Sequence, residues 1–377
     1  MKTIILTANS SWYLYNFRGS SIKRLLSKDY KVICISPHDQ YTSELQSMGC
    51  NWHDIRMSSK TKNPFVDLIL IYDLFKAYKL YKPIAIFHFT IKPNIYGTWA
   101  ATLSGIPSIN NISGLGTAFV QGGLLSFFVR FLYKISQSFA HLVFCQNDDD
   151  YQLLVNKNLV PKNKLYKLPG SGVDIQRFNP TLKQHYPKNK IFTFLYVGRM
   201  IKDKGLLELV EAISRLNSLD QICNLILCGF ARNDNHSDIP KSLLESWNQL
   251  PGISWVGPSD EVEQVMAGVD AVVLPSYREG MPRSILEALA MELPVVVTNV
   301  PGCNNIVDHE INGFLCKARN IASLERALKK MLFISSEERQ AMGIMGRKKI
   351  EKYFDEEIVI QSLLDAIHTI ESLNNKA

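Results

Sequence analysis

Short apolar, β-branched runs alternate with longer amphipathic stretches along this chain, and the alternation restarts once. "TIILTA", "KVICIS", "PIAIFHF" and "PSINNIS" form a first series of strand-like runs; "IFTFLYVG", "CNLILCG", "ISWVG", "AVVLPS" and "LPVVVT" form a second. Strand–helix alternation of this kind requires parallel sheets covered by helices on both faces. At 377 residues the chain exceeds one ordinary core, so two domains are expected. The stretch "LPGSGVDIQRFNPTLKQHYPKNK", rich in Pro, Gly, Asn and Lys, is the candidate linker. The expected fold is α/β, with doubly wound Rossmann-like domains over residues 1–180 and 186–356. A last helix over 357–377 can pack back on the first domain. Two such domains facing each other would leave a cleft lined by strand carboxyl ends, where ligands of these folds bind.

Charge is divided unevenly. Residues 1–185 hold 21 Lys+Arg against 10 Asp+Glu, while the remainder holds 21 against 25. The first half is therefore +11 and the second −4, which points to an anionic partner on one domain. Nucleic acid and an anionic membrane both fit that charge. The segment "FVQGGLLSFFVRFLYKISQSF", residues 119–139, interleaves aromatics with Arg130 and Lys134. It reads either as a core helix or as a helix lying in a membrane interface. No apolar run reaches the length of a membrane span. Seven scattered cysteines without paired spacing suit a reduced cytoplasmic compartment.

The stretch "LPSYREGMPRSILEALAMELPVVVTN" holds Glu279 and Glu287 around a loop at the end of a strand and the start of a helix. Backbone N–H groups lack internal partners there and the helix dipole is positive, so the loop suits a phosphate. Gly280 permits close approach. Two roles stay open for Glu287. With Ser284 it matches the Ser-x-x-Glu capping box, and a carboxylate there can also accept from the two hydroxyls of a sugar diol. Upstream, "YVGRMIKDKG" sets Arg199 and Lys204, beside Gly198, at the end of another strand. A planar fork and a point charge together suit a diphosphate.

Taken together, "GSGVDIQRF", "YVGRMIKDKG" and "EGMPRSILEALAMELPVVVTN" resemble the retaining, nucleotide-sugar-dependent glycosyltransferases of family four, which have the GT-B fold. The resemblance covers nearly the whole chain. It is narrower toward bacterial enzymes that add an N-acetylhexosamine to undecaprenyl-diphosphate-linked glycans. It implies that Arg199 and Lys204 hold the donor diphosphate and that Glu287 binds the ribose. Glu279 would contact donor-sugar hydroxyls, assisted by the loop of Gly280, Met281, Arg283 and Ser284. Main-chain groups around Val256 and Gly257 would hold the base. In the first domain the resemblance puts Asn16, Arg18 and Gly19 in the first strand–helix turn, where Arg18 replaces the usual glycine pair as an anion contact. Lys92, Gly114 and Gly116 would join them toward the acceptor. His88 is expected just past a strand near the donor sugar, or else as a core histidine.

"CQNDDDYQLL" offers Asp148 and Asp150 at Asp-x-Asp metal spacing, but acidic residues between a strand and a helix serve as N-terminal caps. No metal or other cofactor is expected. The expected function is transfer of a sugar from a UDP-sugar to a lipid-linked saccharide acceptor. It would take place at the cytoplasmic face of an anionic inner membrane, with no nucleic-acid partner. The alternatives are a GT-B UDP-N-acetylglucosamine 2-epimerase-like enzyme and a non-catalytic sugar-nucleotide-binding protein.

Overall fold

The computed structural model describes residues 1–57, 63–115, 124–186, 190–218, 222–231 and 237–374. They form two compact units, Met1–Ser171 with Glu357–Ala377, and Gly172–Glu356.

The first unit carries seven parallel strands: β1 (Thr3–Thr7), β2 (Lys31–Ser36), β3 (Asn51–Asp54), β4 (Ala85–Phe89), β5 (Ser108–Ile112), β6 (Leu142–Cys145) and β7 (Leu165–Lys167). Their order is β3-β2-β1-β4-β5-β6-β7, so the winding reverses between β1 and β4. Its described helices are α1 (Ser11–Ser27), α2 (Thr42–Ser47), α3 (Pro64–Tyr81), α4 (Thr98–Ser104), α5 (Leu124–Phe139) and α6 (Asp148–Asn156), with a π-helical turn at Pro93–Gly97. In the second unit the strands β8 (Phe192–Val197), β9 (Cys223–Cys228), β10 (Ile253–Gly257), β11 (Ala271–Leu274), β12 (Val295–Thr298) and β13 (Gly313–Cys316) order as β10-β9-β8-β11-β12-β13. The helices are α7 (Leu206–Leu216), α8 (Lys241–Trp247), α9 (Val262–Ala267), α10 (Arg283–Ala290), α11 (Ile321–Phe333) and α12 (Ser336–Tyr353). Every strand pair is parallel. Central strands such as "AVVL" and "VVVT" are buried along their whole length, which is why they are uninterrupted apolar runs.

The last helix, α13 (Glu356–Asn374), lies in the first unit's core. Val359, Ile360, Leu363, Ile367 and Ile370 join Ile4, Leu14, Ile22 and Val32 in one buried cluster. Arg24 pairs with Glu357 at 2.6 Å and Lys2 with Glu371 at 2.9 Å. The expected linker is largely not a linker. The first unit ends at Ser171 rather than at 180, because the following residues belong to the second core. Val173 N–H donates to Phe354 C=O at 3.0 Å, and Phe178 is fully buried. Nη1 of Arg347 binds the carbonyls of Ile175 and Phe178 at 3.1 and 2.9 Å. A polar, Gly-rich composition hid a segment that Val173 and Phe178 anchor in the core.

Candidate active site

In parallel α/β units the ligand edge is the carboxyl end of the sheet, beside the point where the winding reverses. In the second unit that point lies between β8 and β11. β8 ends at Val197, and the chain turns through Gly198 and an exposed Arg199 whose carbonyl accepts from the buried Tyr196 hydroxyl at 2.8 Å. A short 3-10 turn (Lys202–Lys204) then leads to Gly205, which starts α7 at φ 72°. A Cβ on Gly205 would lie 2.2 Å from the Pro275 carbonyl, so only glycine allows this turn to press on the loop after β11. Asp203 C=O accepts from Tyr277 N–H at 2.9 Å and closes the contact. Lys204 Nζ consequently meets Glu279 Oε1 in an ion pair, with only 16% and 11% of the two side chains exposed. The same carboxylate oxygen accepts from Ser276 Oγ, and Thr298 Oγ1 donates to the Ser276 carbonyl. Gly302, at φ 83°, backs the loop, since a Cβ there would lie 2.7 Å from the Gly280 carbonyl. Met281 packs its side chain on the core and anchors the loop.

The capping box predicted at Ser284 and Glu287 does not form. Pro282 is the N-cap, with φ −71°, and makes no side-chain cap. The helix therefore starts at Arg283, and both residues lie too far inside it for the box geometry. A capping box does form at Ser335 and Glu338, at the start of α12. Glu287 instead forms an ion pair with Arg283 Nε at 2.7 Å. Burial raises its pKa above the usual carboxylate value, against the pull of Arg283 and Arg177. Arg177, which sequence reasoning did not single out, pairs with Glu263 at 2.8 Å and donates to the Asp260 carbonyl at 2.7 Å. At the end of β10, Val256 is 54% exposed and Gly257 has open space around its Cβ position. That leaves a flat main-chain surface of the kind a base could lie on.

The first unit departs further from expectation. Ser10 caps α1 by accepting from Tyr13 N–H at 3.2 Å, so the turn after β1 is short. Asn16, Arg18 and Gly19 lie inside the helix rather than in the turn. Asn16 Nδ2 binds the Trp12 carbonyl one turn back at 3.1 Å. A Cβ on Gly19 would meet only Met48, at an ordinary 3.6 Å. Arg18 alone turns to the sheet edge, its guanidinium 4.4 Å over the Phe89 ring. Lys92 is committed to Asp67 at 2.7 Å, and Tyr96 Oη donates to the same carboxylate at 2.7 Å. Gly114 follows β5 at φ 140°; Gly116 lies outside the described residues.

His88 is not past a strand but within β4, fully buried. Its Nε2 contacts the Tyr78 hydroxyl and its Nδ1 the Asn110 Oδ1, both at 2.9 Å. Burial pushes its pKa down to about 4, so the ring is neutral and structural at pH 7. That removes it from the catalytic set. Asp148–Asp150 form the first turn of α6 behind the Asn147 N-cap. Asp150 accepts from Leu115 N–H, and Asp148 pairs with Lys167 at 2.6 Å.

Two family profiles cover most of the chain. Residues 179–349 match the glycosyl transferases group 1, and residues 3–147 match the glycosyl transferase 4-like proteins. The chain belongs to this glycosyltransferase family. The glycosyltransferase is 28% identical over 365 residues to the N,N'-diacetylbacillosaminyl-diphospho-undecaprenol alpha-1,3-N-acetylgalactosaminyltransferase of Campylobacter jejuni, covering 93% of this chain and 94% of the relative. It is also 28% identical to the UDP-Gal:alpha-D-GlcNAc-diphosphoundecaprenol alpha-1,3-galactosyltransferase of Escherichia coli, over 70% of each chain. Anabaena HepE, solved in complex with UDP, shares the fold with a TM-score of 0.77 at 17% identity, over 98% of this chain and all of the other.

The glycosyltransferase also carries an apolar surface. Helix α5 is one-sided: Tyr133, Ser136 and Gln137 are buried, while Phe127, Phe128 and Phe131 are at least half exposed. One face of the segment is therefore a core face, and the other is exposed apolar surface; residues 119–123 lie outside the described part. Helix α3 does the same with Phe65, Leu68, Ile69 and Tyr72, and Lys76 sits 4.4 Å over the Tyr72 ring. Both helices start at the carboxyl edge of the first sheet, since each runs back to the start of the next strand. Sequence reasoning did not single out the exposed face of α3, because its apolar residues are spread all round the helix. Among the described residues no helix is long and apolar enough to cross a membrane.

Proposed function

We propose that the chain transfers a hexose or N-acetylhexosamine from a UDP-sugar to a saccharide carried on a lipid diphosphate, with retention at the anomeric carbon. The observation that carries the reading is the Lys204–Glu279–Ser276 cluster beside an exposed Arg199 and the start of α10. The names of the two relatives, with their diphospho-undecaprenol acceptors and alpha linkages, support the substrate class. An arriving diphosphate offers Lys204 a second anionic partner and meets Arg199 and the α10 N–H groups. Glu279 then accepts from hydroxyls of the sugar, while Glu287 accepts from the ribose. The bond from the anomeric carbon to the phosphate oxygen breaks with its electron pair going to UDP. An acceptor hydroxyl bonds to the same face of that carbon, and its proton passes to the departing phosphate oxygen. Two cations and a helix terminus placed where charge develops supply the electrostatic stabilisation, so turnover is expected to survive a chelator.

The exposed faces of α3 and α5 belong to this reading, as a surface docking on an anionic bilayer. Their aromatics interleave with Lys76, Arg130 and Lys134 in the +11 half of the chain. Vesicle co-sedimentation should require anionic lipid and weaken with salt. Equal binding to neutral vesicles at high salt would end the electrostatic part of that reading. Sugar transfer itself is tested by mass spectrometry of products from a panel of UDP-sugars with undecaprenyl-diphosphate-linked saccharides. Hydrolysis or epimerisation of the donor with no acceptor product would overturn it.

A further inference from the structure

Arg18 is unusual for a buried cation. It is 1% exposed, stacked on Phe89, and its one hydrogen bond is a long one of 3.5 Å from Nη2 to the Tyr13 hydroxyl. Its Nε and Nη1 have no partner among the protein's groups, and among the described residues no carboxylate pairs with it. A desolvated guanidinium without a counter-charge is strongly unfavourable, and proteins keep buried charges paired unless something else supplies the partner. Packing alone does not explain it, because a methionine of similar length would cover Phe89 without the charge.

The neighbours are unsatisfied in the same sense. Phe89 pairs with Asn111 across β4 and β5, so both side chains leave the same face of the sheet. Asn111 Nδ2 has no partner, while its Oδ1 accepts from Gln146 Nε2 at 3.3 Å. The hydroxyl of Thr90, next after Phe89, is also without one. The Tyr13 hydroxyl that contacts Arg18 is linked to Ser113 Oγ at 2.9 Å, just past the end of β5. A guanidinium and an amide N–H2 are thus gathered beside Phe89 at the carboxyl edge where the winding reverses between β1 and β4.

We propose that Arg18, with Asn111, is the seat of an anionic phosphate of the lipid-linked acceptor, reached when the Tyr13 hydroxyl gives way. The proposal rests on the transferase reading for the identity of that anion. The planar fork of Arg18 can take two oxygens of one phosphate. The donor's phosphates already have Arg199, Lys204 and the α10 terminus in the second unit, so the acceptor's diphosphate is the one left to bind here.

Arg18→Met separates a ligand seat from a structural strut. As a seat, the variant melts at or above the parent temperature, since an uncompensated buried charge is gone. Its KM for the lipid-diphosphate acceptor then rises roughly tenfold or more, while kcat at saturating acceptor and KM for the UDP-sugar stay within about threefold. As a strut, it melts lower and both substrates suffer alike, which overturns the proposal. Calorimetry with farnesyl diphosphate in saturating UDP tests the anion directly and needs no sugar transfer. The parent should bind and Arg18→Met should not, a result that stands even if the transferase reading fails. Absence of saturable binding by the parent overturns the proposal whatever the variant does. UDP affinity that falls in Arg18→Met would give the site to the donor and end the acceptor assignment.

Discussion

At the carboxyl edge of the second sheet, Lys204 pairs with Glu279, Arg283 with Glu287 and Arg177 with Glu263. At the edge of the first, Arg18 is buried without a counter-charge, Asn111 keeps an unused amide, and α3 and α5 turn aromatics outward. One edge holds three ion pairs beside an exposed Arg199 before any ligand arrives; the other is left incomplete in both polar and apolar terms. The difference teaches where to look for selectivity. A site whose side chains hold each other in place is preorganised for a constant ligand. An edge with unsatisfied donors beside apolar surface is completed by a partner that is both anionic and greasy.

The largest effect should come from the balanced edge. Arg199→Ala and Lys204→Ala are each expected to lower turnover about 100-fold or more, because both cations meet charge that grows in the transition state. Stability should separate them: Arg199 is exposed, whereas Lys204→Ala strips a largely buried Glu279 of its counter-ion. A melting loss in Lys204→Ala that Glu279→Ala reverses in the double variant would confirm the pairing. Near-normal turnover in either single variant would remove the diphosphate assignment.

The first unit should answer to pH instead. Folding moves the His88 pKa from 6.5 to about 4, so the neutral ring is the form the fold holds. Its contribution is fully present above pH 6.5 and is lost as pH falls through about 4, amounting to about 3 kcal/mol. Melting curves from pH 7 to 4 should show that loss, and His88→Gln should flatten it while turnover at pH 7 stays near the parent's. A steep drop in turnover at unchanged stability would return His88 to the chemistry.

Next in size is Glu287→Gln. It removes the ion pair with Arg283 and the second acceptor for a ribose, so UDP affinity should fall by about 1.5–3 kcal/mol. Unchanged UDP binding by calorimetry would leave Glu287 a structural partner of Arg283 alone. The smallest effect tests the caps. Ser335→Ala should cost about 1 kcal/mol of stability, and Ser284→Ala about half of that or less.

The site in the second unit was legible because its parts sit at local boundaries. Arg199, Lys204 and Glu279 each follow an apolar run that could only be a buried strand, and strand ends in a parallel sheet share one edge. The short strands β3, β7 and β13 were not legible, since "NWHD", "LYK" and "GFLC" carry too few residues to show a period. Pattern also failed at "RSILE": the Ser-x-x-Glu spacing was right, but with Pro282 as N-cap the helix begins two residues too early for it to matter.

Sequence by itself determined the alternation, and with it two parallel α/β units and the edge where Lys204 meets Glu279. Only the tertiary structure decided which charges are free. His88 is neutralised by its burial between Tyr78 and Asn110 on two other elements, Lys92 is taken by Asp67 on α3, and Arg18 is closed over Phe89 on β4. Hydrophobic periodicity is a property of neighbours along the chain, whereas the solvation of a charged group is set by whatever the fold brings against it from elsewhere.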